Sequence, residues 1–315
     1  MTDNVDKSPP IWVVEEDFHG QRIDNFLFTR LKGVPKSRIY RALRNGEFRV
    51  NKKRVEANYR LQANDLVRIP PLRVATRTES LPPAQGLLQQ FEQAVIYEDK
   101  DIIILNKPAG VAVHGGSGIN FGVIEAFRHA RPKLKFLELV HRLDRDTTGC
   151  LILSKKAGVL KELQQLLVEK LMDKQYLALL AGRWQGGERR VNAPLLKNTL
   201  SSGERIVRVD MQGKAAETLF KPLKIFGNAT LVMVKPQTGR THQIRVHAAS
   251  LGHPILGDEK YGDRQASKTL GVKKLLLHAA SLEFNITSTK QHIAICACLD
   301  PYFLSVIQGL EHSVK

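Results

Sequence analysis

The sequence is short of cysteine. Only three occur in 315 residues, Cys150, Cys296 and Cys298, and none forms a C-x-x-C pair. That excludes a disulfide framework and the usual structural zinc motifs, and it suits a reducing, cytoplasmic setting. Cys296 and Cys298 lie two apart in an apolar run, which predicts one shared strand face turned to the core. Long apolar runs are missing, since none reaches the ~20 residues of a membrane helix. The N-terminus is acidic and polar and carries no signal-peptide pattern. His114-Gly115-Gly116-Ser117-Gly118 is glycine-rich but matches neither a Walker loop nor G-x-G-x-x-G, so it reads as a flexible loop. The chain also lacks H-E-x-x-H, an EF-hand loop, a G-x-S-x-G elbow and any internal repeat.

Acidic residues are scarce as well: 31 Asp and Glu against 48 Lys and Arg give a net charge of +17. An excess of that size points to an anionic polymer, most often nucleic acid. Hydrophobic residues make up 43%, enough for a globular chain of this length to build two cores. The charge is uneven. Residues 21–82 hold 15 Lys or Arg and 5 Asp or Glu, a net of +10, over half of the total in a fifth of the chain.

Residues 1–19 read as a loose tail with a short strand at 11–14. Apolar spacing predicts helices over 22–31 and 37–45, the second ended by Gly46. Ile39, Ala42 and Leu43 share one face of that second helix. Arg38, Arg41 and Arg44 share the other, with no acidic residue between them, which favours phosphate contact over mere solvation. Short strands follow at 48–51 and 66–69, around the basic turn Lys52-Lys53-Arg54. The prolines at 70, 71, 82 and 83 mark a linker, placed at 83–93 with a short helix from 86. From 94 onward many short strands and few helices predict an α+β domain on a mostly antiparallel sheet, running to 315. Its strands include 95–98, 102–105, 111–114, 219–226, 230–235 and 293–299. Ala157 to Lys170 and the segment 301–310 read as helices, and Tyr176 and Arg245 are read on strands.

One stretch concentrates chemistry: His141-Arg142-Leu143-Asp144-Arg145-Asp146-Thr147-Thr148-Gly149, between the apolar runs 136–140 and 150–154. It reads as strand, polar turn, strand. A metal site of His141, Asp144, Asp146, His242 and His247 is disfavoured, because His242 and His247 are five apart and share no face of a strand or helix. Cys150 opens an apolar strand, where a buried thiol is inert. What remains is a carboxylate beside guanidiniums, held ionised by the opposite charge and able to act as nucleophile or electrostatic stabiliser. Asp146-Thr147-Thr148-Gly149 suits turn chemistry, so Asp144 is the candidate catalyst.

Two resemblances cover nearly the whole chain in order. Arg22-Ile23-Asp24, Phe26-Leu27, Ser37-Arg38 and Asn45-Gly46-Glu47-Phe48-Arg49-Val50-Asn51-Lys52-Lys53 resemble the S4 RNA-binding domain, a small αα-β module; residues 20–82 would form it. Its usual Gly-Asp appears here as Asn64-Asp65. The nine-residue stretch itself resembles the signature of RluA-type pseudouridine synthases. So do Asn106-Lys107-Pro108-Ala109-Gly110, Lys174-x-Tyr176, Thr238-Gly239-Arg240-Thr241-His242-Gln243-Ile244-Arg245-Val246-His247 and His253-Pro254-Ile255-Leu256-Gly257-Asp258.

The resemblance implies an isomerase that turns uridine into pseudouridine in large-subunit 23S ribosomal RNA, as a monomer, without metal or cofactor. By it Asp144 would be the nucleophile, Tyr176 would stack on the base and help deprotonate C5, and Ile244 would pack on the other face. Arg245 would pair with Asp144, and Arg142 would hold the extruded nucleotide or fill its gap. Arg38, Arg41, Arg44, Lys52, Lys53 and Arg54 would contact RNA. The competing expectation is a non-catalytic RNA-binding or assembly factor whose carboxylate cluster is structural.

Overall fold

The computed structural model describes residues 10–15, 18–31, 33–72, 85–115, 121–199 and 205–312. Two compact units divide the chain, residues 1–81 and 82–315.

The first unit contains β1 (Ile11–Val13), α1 (Ile23–Arg30), α2 (Lys36–Arg44), β2 (Arg49–Val50), β3 (Lys53–Arg54) and β4 (Leu66–Arg68). Ile23, Phe26 and Leu27 recur at helical spacing on α1, as do Ile39, Ala42 and Leu43 on α2. All six are buried in one core with Phe48, Val50 and Val67. The strands pair antiparallel in the order β1-β4-β2-β3. Asn51 and Lys52, at φ 49° and 67°, turn β2 into β3. Two left-handed residues make the type I′ geometry that matches strand twist. Asn64 takes φ 68°, the conformation for which glycine is the usual choice, and Asn is among the few side chains that tolerate it.

The second unit opens with α3 (Gln85–Gln93), β5 (Val95–Glu98), β6 (Ile102–Lys107), α4 (Val123–Ala130), β7 (Glu138–Leu139), β8 (Thr148–Ser154) and α5 (Ala157–Val168). It continues with β9 (Asp173–Ala181), β10 (Arg189–Asn192), β11 (Leu195–Thr199), β12 (Arg205–Val209), β13 (Glu217–Phe226) and β14 (Ala229–Pro236). It closes with α6 (Gln243–Ser250), α7 (Arg264–Thr269), β15 (Leu277–Ile286), β16 (Gln291–Cys296) and α8 (Pro301–His312). The main sheet runs β10-β13-β14-β9-β15-β8-β6-β5, with β16 on β15 and β7 on β8. All its pairings are antiparallel except β15 with β8. The unit is thus α+β, with β11 and β12 as a separate hairpin.

The parallel pairing is two residues long, His278 to Thr148 and Ala279 to Gly149, and it joins the two halves of the sheet. Gly149 has φ +104°, and a Cβ there would fall 2.2 Å from the Ala279 carbonyl oxygen. Only glycine fits that seam. Every residue of β8 is buried, so the polar turn before it is fixed by a strand with no freedom to shift.

The short helix expected from 86 is present as Gln85–Gln93, with Phe91 buried and stacked on Phe127 of α4 at 6.2 Å. Leu87, Leu88 and Phe91 form an apolar face, which needs a core. Three other expectations change. Residues 111–114 form no strand, because the Ala112 and Val113 carbonyls accept the Val123 and Ile124 amides at the start of α4. The segment carrying Arg245 is helix α6, not a strand. Cys296 and Cys298 are exposed: on β16 the inward positions go to Ile293 and Ile295, so the cysteine phase faces out.

Candidate active site

The turn between β7 and β8 is anchored from several sides. β7 and β8 pair antiparallel around it, with Glu138 opposite Ser154 and Leu139 opposite Leu153. Val140 and Leu143 are buried beneath it, and the Thr147 amide donates to the Asp144 carbonyl at 3.2 Å. Lys107, at the end of β6, is wholly buried. Its Nζ donates to the carbonyls of Pro108, Val111 and Arg145 at 2.7, 3.0 and 2.9 Å. Burial lowers the pKa of this ammonium to about 8, although Asp146 and Asp144 pull it back up. On the far side Thr148 Oγ1 meets His278 Nδ1 at 2.8 Å, and His278 Nε2 donates to the Ala297 carbonyl at 3.1 Å. His141 Nε2 accepts the Ile152 amide at 3.2 Å, and burial, helped by Lys174, pushes its pKa down to about 4.

So held, the Asp144 side chain is 28% exposed. Its partner comes from 101 residues away. Arg245, on α6, donates from Nη1 to Asp144 Oδ2 at 3.1 Å, and from Nε and Nη2 to the two oxygens of Asp258 at 2.8 and 2.7 Å. Asp258 is fully buried and also accepts the Lys260 and Tyr261 amides. Burial works against the Arg245 charge. The hydrogen bonds and charges of Asp258 and Asp144 outweigh it and raise the guanidinium pKa. Burial likewise works against the Asp258 anion, and Arg245 overcomes it, so that pKa falls. The Arg245 guanidinium also lies over the Tyr261 ring, 5.2 Å from its centroid.

Tyr176, on β9 opposite Ala279 of β15, is partly buried and packs on the apolar cluster that includes Ile244. Its phenol pKa is raised, chiefly by burial and then by the Asp144 charge. The site thus gathers Asp144, Tyr176, Ile244 and Arg245 within one unit. Arg142 is exposed on the turn.

Some sequence expectations are redistributed. The neighbouring arginines do not hold Asp144: Arg145 pairs with Asp146 at 3.3 Å, and Arg142 faces solvent. Among the described residues the Asp146 carboxylate caps no turn amide; Lys107 and Thr148 fix the turn instead. Sequence reasoning left Asp258, Lys107, His242 and Tyr261 without site roles. No local signal marked Asp258, because its role depends on the burial of Arg245, 13 residues away. No group of three His, Cys, Asp or Glu among the described residues is placed to share a metal ion.

In the first unit Arg38 forms a two-pronged pair with Glu47, at 2.6 and 3.2 Å, so its charge is already matched. Arg41, Arg44, Lys52, Lys53 and Arg54 are exposed.

Comparison with known proteins gives the family of this fold. The family model described as RNA pseudouridylate synthase matches residues 101–250, and the S4 domain model matches residues 21–67. The chain belongs to the RNA pseudouridylate synthase family and carries an S4 domain ahead of the catalytic one. Ribosomal large subunit pseudouridine synthase C of Salmonella typhimurium is 52% identical over 312 residues, covering 97% of this chain and 98% of that protein. The protein of the same name from Haemophilus influenzae is 50% identical over 314 residues, covering 98% and 97%. The solved structure of human RNA Pseudouridylate Synthase Domain Containing 4 superposes with a TM-score of 0.60 at 25% identity, covering 72% of this chain and 96% of that one.

Proposed function

We propose that this pseudouridine synthase isomerises uridines of large-subunit (23S) ribosomal RNA, with Asp144 as its nucleophile. The observation that carries the reading is the partly exposed Asp144 carboxylate at the tip of a rigid strand, held by Arg245, which is itself clamped by buried Asp258. The relatives named for the large subunit support the substrate class.

A uridine within RNA structure must be flipped out, at a cost of about a few kcal/mol, before a side chain can reach its ribose. Phosphate contacts from exposed Arg41, Arg44, Lys52, Lys53 and Arg54, with Arg38 at their edge, offset that cost. Arg142 holds the extruded nucleotide. Tyr176 stacks on one face of the base and Ile244 packs on the other. Asp144 attacks C1′ as the C1′–N1 bond breaks and the uracil leaves with the electron pair. The base turns, C5 bonds to C1′, Asp144 departs, and the C5 proton is lost as N1 gains one. Nothing is oxidised or hydrolysed overall, so the chemistry calls for no cofactor or metal. The raised pKa makes the Tyr176 phenol a poor base, which favours stacking as its role.

The reading is of a monomer at work in the cytoplasm, where the ribosomal RNA of bacteria such as those relatives is made. The test is a map of pseudouridines in 23S RNA from cells lacking the protein, complemented with wild type or Asp144→Asn. Wild type should restore modifications that the variant leaves absent. Their return with the variant would favour the non-catalytic RNA-binding reading.

A further inference from the structure

Asp144 meets both of its charged or ring-nitrogen neighbours through one oxygen. Arg245 Nη1 lies 3.1 Å from Oδ2 and His242 Nε2 lies 3.8 Å from the same atom. Among the described residues no hydrogen bond reaches Oδ1.

His242 is itself tightly specified. Its backbone is left-handed, φ 52°, at the N-cap of α6. That conformation is uncommon outside glycine, and His is among the few residues that adopt it more readily. Its ring meets Tyr261 edge-on at 5.5 Å, and Nδ1 lies 2.8 Å from the Tyr261 hydroxyl. That hydroxyl oxygen already accepts the Val207 amide of β12 at 3.0 Å. A carboxylate oxygen 3.8 Å from Nε2 favours the tautomer that carries its hydrogen there, and Nδ1 then accepts the Tyr261 phenol proton. Burial keeps the imidazole pKa low, against the pull of Asp144 and with the push of Arg245 and Lys260, so the ring is a neutral donor.

We propose that His242 is a positioning residue for Asp144: its Nε2–H joins Arg245 in anchoring Oδ2, which leaves Oδ1 as the oxygen that attacks C1′. This rests on the reading of Asp144 as the nucleophile. A carboxylate with one anchor can still swing about its Cβ–Cγ bond. Two donors converging on Oδ2 from α6 and its N-cap fix the carboxylate plane and aim the free oxygen. The 3.8 Å gap is less than about 1 Å beyond hydrogen-bond reach, and such bonds commonly tighten when substrate binds. Oδ1 bonds to C1′ while the C1′–N1 pair leaves with the base; His242 neither gains nor loses a proton.

The test compares His242→Gly, which accepts the left-handed backbone but has no donor, with His242→Gln, whose amide N–H reaches the position of Nε2. Both are assayed as full chains on 23S RNA under single and multiple turnover. His242→Gly should lower kcat about 10- to 100-fold, the usual cost of losing an orienting partner, with KM and Tm near wild type. His242→Gln should recover part of that loss. A wild-type kcat in His242→Gly, a rise in KM alone, or a kcat loss that only tracks a fallen Tm overturns the proposal. Asp144→Asn run alongside separates the two readings. If it stays active, the nucleophile assignment fails; if it is dead while His242→Gly is fully active, only the role of His242 fails.

Discussion

At the scale of single residues, the site is an answer to charge burial. Arg245 is nearly buried and meets two carboxylates, one deep and one at the surface. Asp258 matches its charge, which leaves Asp144 free to serve chemistry. Asp258→Asn should therefore cost about 3–5 kcal/mol of stability, the range for breaking a buried pair, and should lower activity through a misplaced Arg245. Urea unfolding and turnover measured together check it, and a variant of unchanged stability contradicts the anchoring role. His141 makes a prediction of opposite visibility. Its folded pKa is about 4, below the ordinary 6.5. Between those values the unfolded chain holds a proton that the folded one does not, so stability is full above pH 6.5 and is lost as the pH falls toward 4. From pH 7 to 5 this residue should cost about 2 kcal/mol. His141→Gln keeps an acceptor for the Ile152 amide and should lose correspondingly less stability over that interval. An equal loss in both proteins would refute the assignment.

At the scale of elements, the seam between β8 and β15 is the critical joint. Gly149→Ala would push a methyl group into the Ala279 carbonyl at a left-handed backbone position. It should cost more than about 3 kcal/mol. Gly158→Ala, in α5 with open space around it, should be neutral or stabilise by up to about 1 kcal/mol. Chemical denaturation of the two variants gives the comparison, and similar values for both would dismiss the seam argument. The elements also show how far sequence reaches. The turn between β7 and β8 was legible because its hydrophobic flanks and polar middle are local. The helix α6 was not. Ile244 and Val246 alternate around Arg245 as a strand would, and only Ile244 and Ala248 on one buried cluster reveal the helical phase. Asp144 and Arg245 were readable as partners through the family resemblance alone, since 101 residues separate them. Asp258 escaped because a Gly-Asp turn looks ordinary until the burial of Arg245 is known. The pairing of Arg38 with Glu47 escaped for a related reason: it joins α2 to the chain beyond its end, outside the helix face that periodicity describes.

At the scale of the whole molecule, basic charge is gathered in one unit and chemistry in the other. Over half of the +17 lies in residues 21–82, yet its arginines are not equivalent. Replacing Arg41 and Arg44 by Gln should weaken 23S RNA binding and flatten its salt dependence by about one unit of log–log slope per lost phosphate contact. Arg38→Gln should change that slope less, because Glu47 already occupies its guanidinium. Filter binding across a salt series resolves the two cases; equal slopes for all variants would mean that this face does not touch RNA. The division of labour leads to the claim on which everything else depends, that one carboxylate performs the isomerisation. Its most direct test is single-turnover conversion of uridine to pseudouridine in 23S RNA by purified Asp144→Asn, with binding measured in the same buffer. RNA affinity close to wild type and no pseudouridine are the expected result. Conversion at a rate near wild type would contradict it.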